Sequence, residues 1–299
     1  MIAARNHSAM TAHNDPIPQP ILTALGRAST DVLGQGGEAW VVALDAERVA
    51  RVSRPGASAT TVAQRTAILG ELGRTAARVP FAIPQVLEAL ELAGHLVTIE
   101  RRLNGRSLTT VLAESKGNAR EALLRAYLTA AGQIGNLVVH RSYFGDLVHD
   151  SPLRTTSFRD YLAIRAQHNL EAGGLAKPGL DSDRLAAALP EPETAALVHL
   201  DAFAGNMLVA EGQITAVLDF GGSMILGDRR LDPLAAVVYL DPAITPTARA
   251  GDQAAAREWL AEQGLDPLYQ PAQRWLAAYW SFARDDYSLY RWCRRILGL

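Results

Sequence analysis

Asp201, Asn206 and Asp219 are the residues of this 299-residue chain whose types and spacing could do chemistry. They fall in Leu197-Val-His-Leu-Asp-Ala-Phe-Ala-Gly-Asn-Met-Leu-Val209 and in Ile214-Thr-Ala-Val-Leu-Asp-Phe-Gly-Gly222. Each follows or interrupts a short apolar run that reads as a buried strand, so three oxygen-bearing side chains are set at strand ends. A hard cation such as Mg2+ takes a few such ligands and completes its shell with water and substrate phosphates. Phosphoryl transfer needs one carboxylate more, to orient the attacking hydroxyl. Taken singly, each residue also has a plainer reading: turn hydrogen bonds for Asp201 and Asn206, a strand end for Asp219.

Together the spacing is more specific. His199-x-Asp201, Asn206 five residues on, a strand, and then Asp219-Phe-Gly resemble the catalytic and metal-binding loops of the protein-kinase-like superfamily, most closely its aminoglycoside phosphotransferase and choline kinase branch. The resemblance implies that Asp201 is the catalytic base, that Asn206 and Asp219 hold Mg2+, and that His199 is structural. Leu200 stands where many relatives have Gly. Gly227-Asp-Arg-Arg-Leu-Asp-Pro-Leu-Ala235 is similar to a further family motif. There Asp232 is expected as a helix N-cap, with Pro233 at the first helical position, and it would brace the catalytic loop. About a dozen residues separate Asp219 from Asp232. That leaves no room for the activation segment a protein kinase needs, which favours the small-molecule branch.

The resemblance covers most of residues 31–240 and implies a bilobal α+β kinase-like fold. A small N-terminal antiparallel sheet lobe would bind the nucleotide (residues 21–103). A larger, mainly helical lobe would hold catalysis and acceptor (104–299), and residues 1–20 read as a flexible tail without a sustained apolar period. Val32 to Leu44 looks like two strands joined by a turn holding Gly34, Gly36 and Gly37. Such glycines let the backbone approach phosphate oxygens, although a plain hairpin also uses them. Glu47 to Ser53 reads as the next strand, and Arg51 falls where the family has a phosphate-gripping lysine. Its planar fork binds phosphate differently from an ammonium. The helix expected from Thr60 to about Arg78 carries Val62, Arg65, Leu69, Leu72 and Ala76 on one face. Glu71 projects nearly opposite, so Gln64 or Arg65 falls where the family has a glutamate, and the usual ion pair is expected to be absent. The strands Val86–Leu92 and Leu96 onward form a hairpin, and Asn104-Gly105 follows. Matching the family's hinge, adenine contacts are expected at Glu100, Arg102 and Leu103, made by backbone groups.

Composition excludes several classes. A net charge of -2 gives no electrostatic footprint for nucleic acid, and no apolar run approaches the ~18 residues of a membrane span. One cysteine, Cys293, rules out an internal disulfide, and a cytoplasmic protein without a signal peptide is expected. Helices are expected at 107–113, 120–140 and 158–171, broken at Gly117-Asn118, with a loop at 144–150 in which His149 and Asp150 either face the cleft or simply meet water. The aromatic residues after Trp259 read as core. Asp285-Asp286 suits either a cationic acceptor or a solvated helix face. The expected reaction moves the γ-phosphoryl of ATP or GTP, with Mg2+, to a hydroxyl of an aminoglycoside-like or other amine or sugar acceptor. The alternatives are a nucleotide-binding pseudokinase without transfer, motivated by Arg51 and the absent helix glutamate, and an accidental motif match in a helical domain.

Overall fold

A computed structural model describes residues 15–299. The chain opens with α1 (Gln19–Leu25), then β1 (Val32–Gln35), β2 (Ala39–Ala43), β3 (Arg48–Ser53), α2 (Ala59–Gly73), β4 (Val86–Leu92) and β5 (His95–Arg101). The five strands form one antiparallel sheet in the order β1-β2-β3-β5-β4. Alternation along the strands gives the sheet two different faces. Trp40, Val42, Ala50, Val52, Val97 and Ile99 pack with Ile17, Ile21 and Leu22 against α1. Arg51, Thr98 and Glu100, at the alternate positions of β3 and β5, point the other way, towards α2 and the rest of the molecule. One face is a core and the other carries the charges.

The expected tail of residues 1–20 falls mostly outside the described residues, and its last six residues are not flexible coil. Its first fourteen residues lie outside the described ones, but from Asp15 the chain is packed: the Asp15 carbonyl accepts from the Trp40 indole at 3.0 Å, and Ile17 is buried. A single isoleucine between two prolines carries no period, which is why the pattern missed it. The α2 helix also ends earlier than expected, at Gly73, with a short 3-10 turn at 76–78.

Past the linker come β6 (Arg106–Ser107), α3 (Leu108–Glu114), α4 (Gly117–Gln133), β7 (Phe144–Asp146), β8 (Arg154–Thr155), α5 (Phe158–Ala172), α6 (Ser182–Ala187) and β9 (Ala196–Val198). They are followed by β10 (Met207–Ala210), β11 (Gln213–Val217), β12 (Ile225–Gly227), α7 (Leu231–Val238), α8 (Ala250–Glu262), α9 (Asp266–Tyr279) and α10 (Tyr287–Leu297). Gly117 starts α4 instead of breaking a helix, and α4 ends at Gln133. The expected loop at 144–146 is a strand, paired with β12 and β8. Trp275, Tyr279, Trp280 and Trp292 are buried in one large apolar core with α4, α5 and α7, as the aromatic spacing implied. Cys293 is packed there too. Among the described residues no helix is long and apolar enough to cross a membrane.

Two main-chain ties join the halves, beside the packing of Ile68, Leu69 and Leu72 of α2 into the large core. One is the covalent linker, pinned where Thr215 donates its hydroxyl to the Asn104 carbonyl at 2.8 Å. Gly105 sits there at φ +141°, and a Cβ on it would lie 2.8 Å from Thr215 Oγ1 and 2.9 Å from Leu208 Cβ. The other stitch is Ala82, between α2 and β4, whose backbone donates to Thr215 O (2.8 Å) and accepts from Val217 N (3.0 Å). Gly105→Ala is expected to destabilise the protein by about 1–3 kcal/mol, from strained backbone and a clash that only main-chain movement relieves. Urea unfolding would check this, and an unchanged midpoint would contradict it.

Candidate active site

The catalytic loop is built on β9. As the chain leaves the strand, His199 is fully buried and Leu200 enters the left-handed region at φ +59°. That conformation favours glycine, and Leu200 holds it with its side chain buried. Asp232 explains how: its carboxylate accepts from the backbone N–H of His199 (2.9 and 3.0 Å) and of Leu200 (2.9 Å). Asp232 lies inside α7, one residue past its start, so it caps no helix as expected and instead holds the bend of the loop. The His199 ring bridges two motifs. Its Nε2 meets Leu218 O at 2.9 Å, and its Nδ1 meets the backbone N–H of Asp201 at 3.2 Å. These partners require Nε2 to carry the proton, and burial lowers the imidazole pKa, so the ring is neutral.

Asp201 is thereby fixed from three sides. Asn206 donates from Nδ2 to the Asp201 carbonyl (2.9 Å) and to its Oδ2 (3.2 Å), and the Tyr239 hydroxyl lies 3.2 Å from Oδ1. Burial, and then the negative charge of Asp219, push the Asp201 pKa well above the usual carboxylate range. A carboxylate so placed is a better proton acceptor than a solvated one.

Asp219 follows β11 with φ +55° and faces Arg51, whose Nη2 lies 3.1 Å from Asp219 Oδ1 and 3.0 Å from Glu38 Oε2. Burial opposes the Asp219 charge, but the cations Arg51 and Arg65 outweigh it and its pKa falls. Arg65 of α2 is buried beside them. It donates from Nη1 to Glu100 Oε1 at 2.6 Å and from Nε to Phe220 O at 2.9 Å, and the Thr98 hydroxyl donates to the same Glu100 oxygen at 2.7 Å. Burial penalises ionised Glu100, yet Arg65 holds its pKa below normal. The residue facing the site from α2 is thus a cation, in line with the expectation that no helix acid meets Arg51. Glu71 pairs with Arg141 on the surface instead.

Beneath the glycine turn lies a cavity of about 160 Å³, lined by Gly37, Glu38, Arg51, Arg65, His149 and Gly221 among others. Gly34 lines a separate hollow against α1, and Gly36 closes the turn with a hydrogen bond from its N–H to Ala39 O (2.9 Å). A Cβ at Gly34 or Gly36 would meet nothing within 4 Å, so the space above the turn is open. Of the expected hinge residues, Glu100 turns its side chain inwards to Arg65. Arg102 is drawn to the β2–β3 turn through its backbone N–H (Glu47 O, 2.7 Å) and its guanidinium (Asp45 O, 3.0 Å). The Leu103 N–H has no hydrogen-bond partner among the described residues. His149 reaches the cavity and Asp150 is exposed. Asp286 is spent capping α10 through Leu289 N at 2.9 Å.

The donor set suits Mg2+. Asn206 uses its amide nitrogen on Asp201, and its Oδ1 has no partner among the described residues; the same is true of Asp219 Oδ2. Two free neutral or anionic oxygens on adjoining loops match a hard ion that keeps waters and completes its shell on phosphates. Tyr239 and Glu38 were not read from the sequence. Tyr239 follows an apolar helix and looks like core, and Glu38 needs the strand register to be seen. Asp232 carries a pH signature: burial pushes its pKa to about 7, against about 3.8 in the unfolded chain. The folded state then binds the extra proton, so this contribution to stability is complete below pH 4 and is lost as pH rises towards 7. Denaturant midpoints between pH 4.5 and 7.5 should fall more in the wild type than in Asp232→Asn, in which the buried Asp201 still contributes a loss of the same sign.

The sequence pattern of the phosphotransferase enzyme family matches residues 32–268, and the chain belongs to that family. A thermostable mutant of aminoglycoside phosphotransferase APH(4)-Ia, solved as a ternary complex with AMP-PNP and hygromycin B, is similar over 89% of this chain and 91% of that one, at 19% identity and TM-score 0.62. ADP-bound aminoglycoside phosphotransferase APH(2'')-Ib is similar at 15% identity and TM-score 0.57, over 89% and 90% of the two chains. A putative fructosamine-3-kinase from Haemophilus somnus 129PT covers 94% of this chain and 95% of its own at 13% identity and TM-score 0.55. No curated protein sequence matches the chain. The fold is the kinase-like one, and the protein is a phosphotransferase acting on a hydroxyl group.

Proposed function

We propose that this enzyme transfers the γ-phosphoryl of ATP or GTP to a hydroxyl of a small amine- or sugar-bearing molecule, the acceptor meeting the second lobe (104–299) and the nucleotide the first (21–103). The observation that carries the reading is the joining of three motifs in one site: Asn206 holds Asp201, His199 links Asp201 to the strand before Asp219, and Arg51 reaches Asp219. Asp201 would accept a hydrogen bond from the acceptor hydroxyl and take its proton as the new P–O bond forms and the bond to the nucleoside diphosphate breaks. Asn206 and Asp219 would hold Mg2+, which supplies charge neutralisation to the phosphates. Arg51 would bind phosphate oxygens, and the Leu103 amide would meet the base. Similar structures hold AMP-PNP with hygromycin B, GDP with kanamycin, and gentamicin, which supports nucleotide and cationic acceptor alike. A pseudokinase role rested on Arg51 and a missing helix acid; Arg51 stands in contact with Asp219, so the positive charge is in place.

The test is purified protein with ATP or GTP, Mg2+ and a panel of hydroxylated amines and sugars, read by mass for an added phosphate. A phosphorylated product is expected. If no panel member is phosphorylated and Mg·AMP-PNP fails to bind, the reading is wrong.

A further inference from the structure

We propose that Glu38, at the end of the glycine turn, is the positioning residue for Arg51. The inference rests on the phosphotransferase reading and deepens its nucleotide site. Arg51 is largely buried, with its side chain 13% exposed, and spends a single nitrogen, Nη2, on both Glu38 (3.0 Å) and Asp219 (3.1 Å). Its Nε and Nη1 hydrogens have no partner among the described residues, and the side chain lines the cavity beneath the turn. The guanidinium is therefore aimed, with most of its donors unused.

Something must hold it there, because an arginine side chain has much rotamer freedom to lose on binding. The α2 helix cannot: the residue it turns to the site is Arg65, already engaged by Glu100 and Phe220 O. Asp219 cannot do it alone, since its carboxylate is also the one offered to Mg2+. Glu38 is the remaining carboxylate on Arg51. Its place is itself built: the Glu38 carbonyl accepts from Arg54 N at 2.9 Å, which ties the turn to the end of β3. Glu38 Oε2 lies 3.1 Å from where a Cβ of Gly221 would stand, so the absence of a side chain two residues after Asp219 makes room for the carboxylate. Arg51, on a strand, and Glu38, on the turn, thus form a pair in which the carboxylate on the turn sets the direction of the cation.

The test is a double-mutant cycle of Glu38→Gln and Arg51→Ala, read by calorimetric affinity for Mg·AMP-PNP and for adenosine, with thermal midpoints as a folding control. Glu38→Gln should weaken Mg·AMP-PNP by roughly tenfold, the scale of one charge-assisted hydrogen bond, and leave adenosine unchanged. In the Arg51→Ala background the same change should do nothing further. Equal losses in both backgrounds, weaker adenosine binding, or an affinity that rises or stays level would each overturn the proposal. If the wild type binds no Mg·AMP-PNP, the nucleotide reading itself fails. If it binds and Glu38→Gln is silent, only the role of Glu38 fails.

Discussion

Asp201→Asn is expected to lower phosphoryl transfer by about 10²–10⁴-fold while Mg·AMP-PNP affinity stays within about twofold, because the substitution removes the proton acceptor and keeps the shape. The folded protein should not suffer. Asp201 is buried, and its ionised form is opposed by burial and by Asp219, so a neutral amide relieves an unfavourable charge. The unfolding midpoint should hold or rise as activity is lost, the opposite of what damage to the fold would do. The Tyr239 hydroxyl can still donate to the Asn carbonyl, and Asn206 keeps its bond to the residue-201 main-chain carbonyl while losing the one to Oδ2. Transfer assays with the acceptor found in the panel, run beside calorimetry and thermal unfolding, would check all three. Turnover near wild type would remove Asp201 from the reaction.

The second large effect concerns stability. Arg65 and Glu100 are 6% and 7% exposed at their side chains and meet at 2.6 Å. Arg65→Met leaves Glu100 with only the Thr98 hydroxyl and leaves Phe220 O without its donor. A loss of about 3–5 kcal/mol is expected, the usual consequence of leaving one buried charge unpaired. Glu100→Leu should do similar damage. The double variant Arg65→Met/Glu100→Leu should recover much of it, since two apolar side chains need no partner. Urea unfolding of the four proteins measures this directly. Additive losses would mean that the two residues act separately.

How much of this was legible depended on distance along the chain. Asp201, Asn206 and Asp219 sit on short loops between strands, so their types and spacing alone suggested one site. Asp232 was marked as a brace by its motif, yet its placing as an N-cap was wrong. The carboxylate reaches backwards to His199 and Leu200 N–H groups that no helix pattern reveals. Arg65 could be put on the right face of α2 by periodicity. Its partner could not be named, because Glu100 faces it only once β3 and β5 are in register. The same limit hid Glu38 and the internal pairing of the Glu100 side chain, which leaves the expected backbone contact there untouched. Tyr239 was hidden in an apolar run, where an aromatic residue ordinarily signals only packing.

The two stitches between the lobes bear on motion. The linker at Asn104-Gly105 and the backbone contacts of Ala82 with Thr215 and Val217 tie the halves at separate places. Side chains tie the same boundary: Arg51 to Asp219, Arg65 to Phe220 O and Glu71 to Arg141, while Ile68, Leu69 and Leu72 of α2 pack into the large core. Any relative motion of the halves would have to break these polar contacts and shear that packing as well as strain the two main-chain ties.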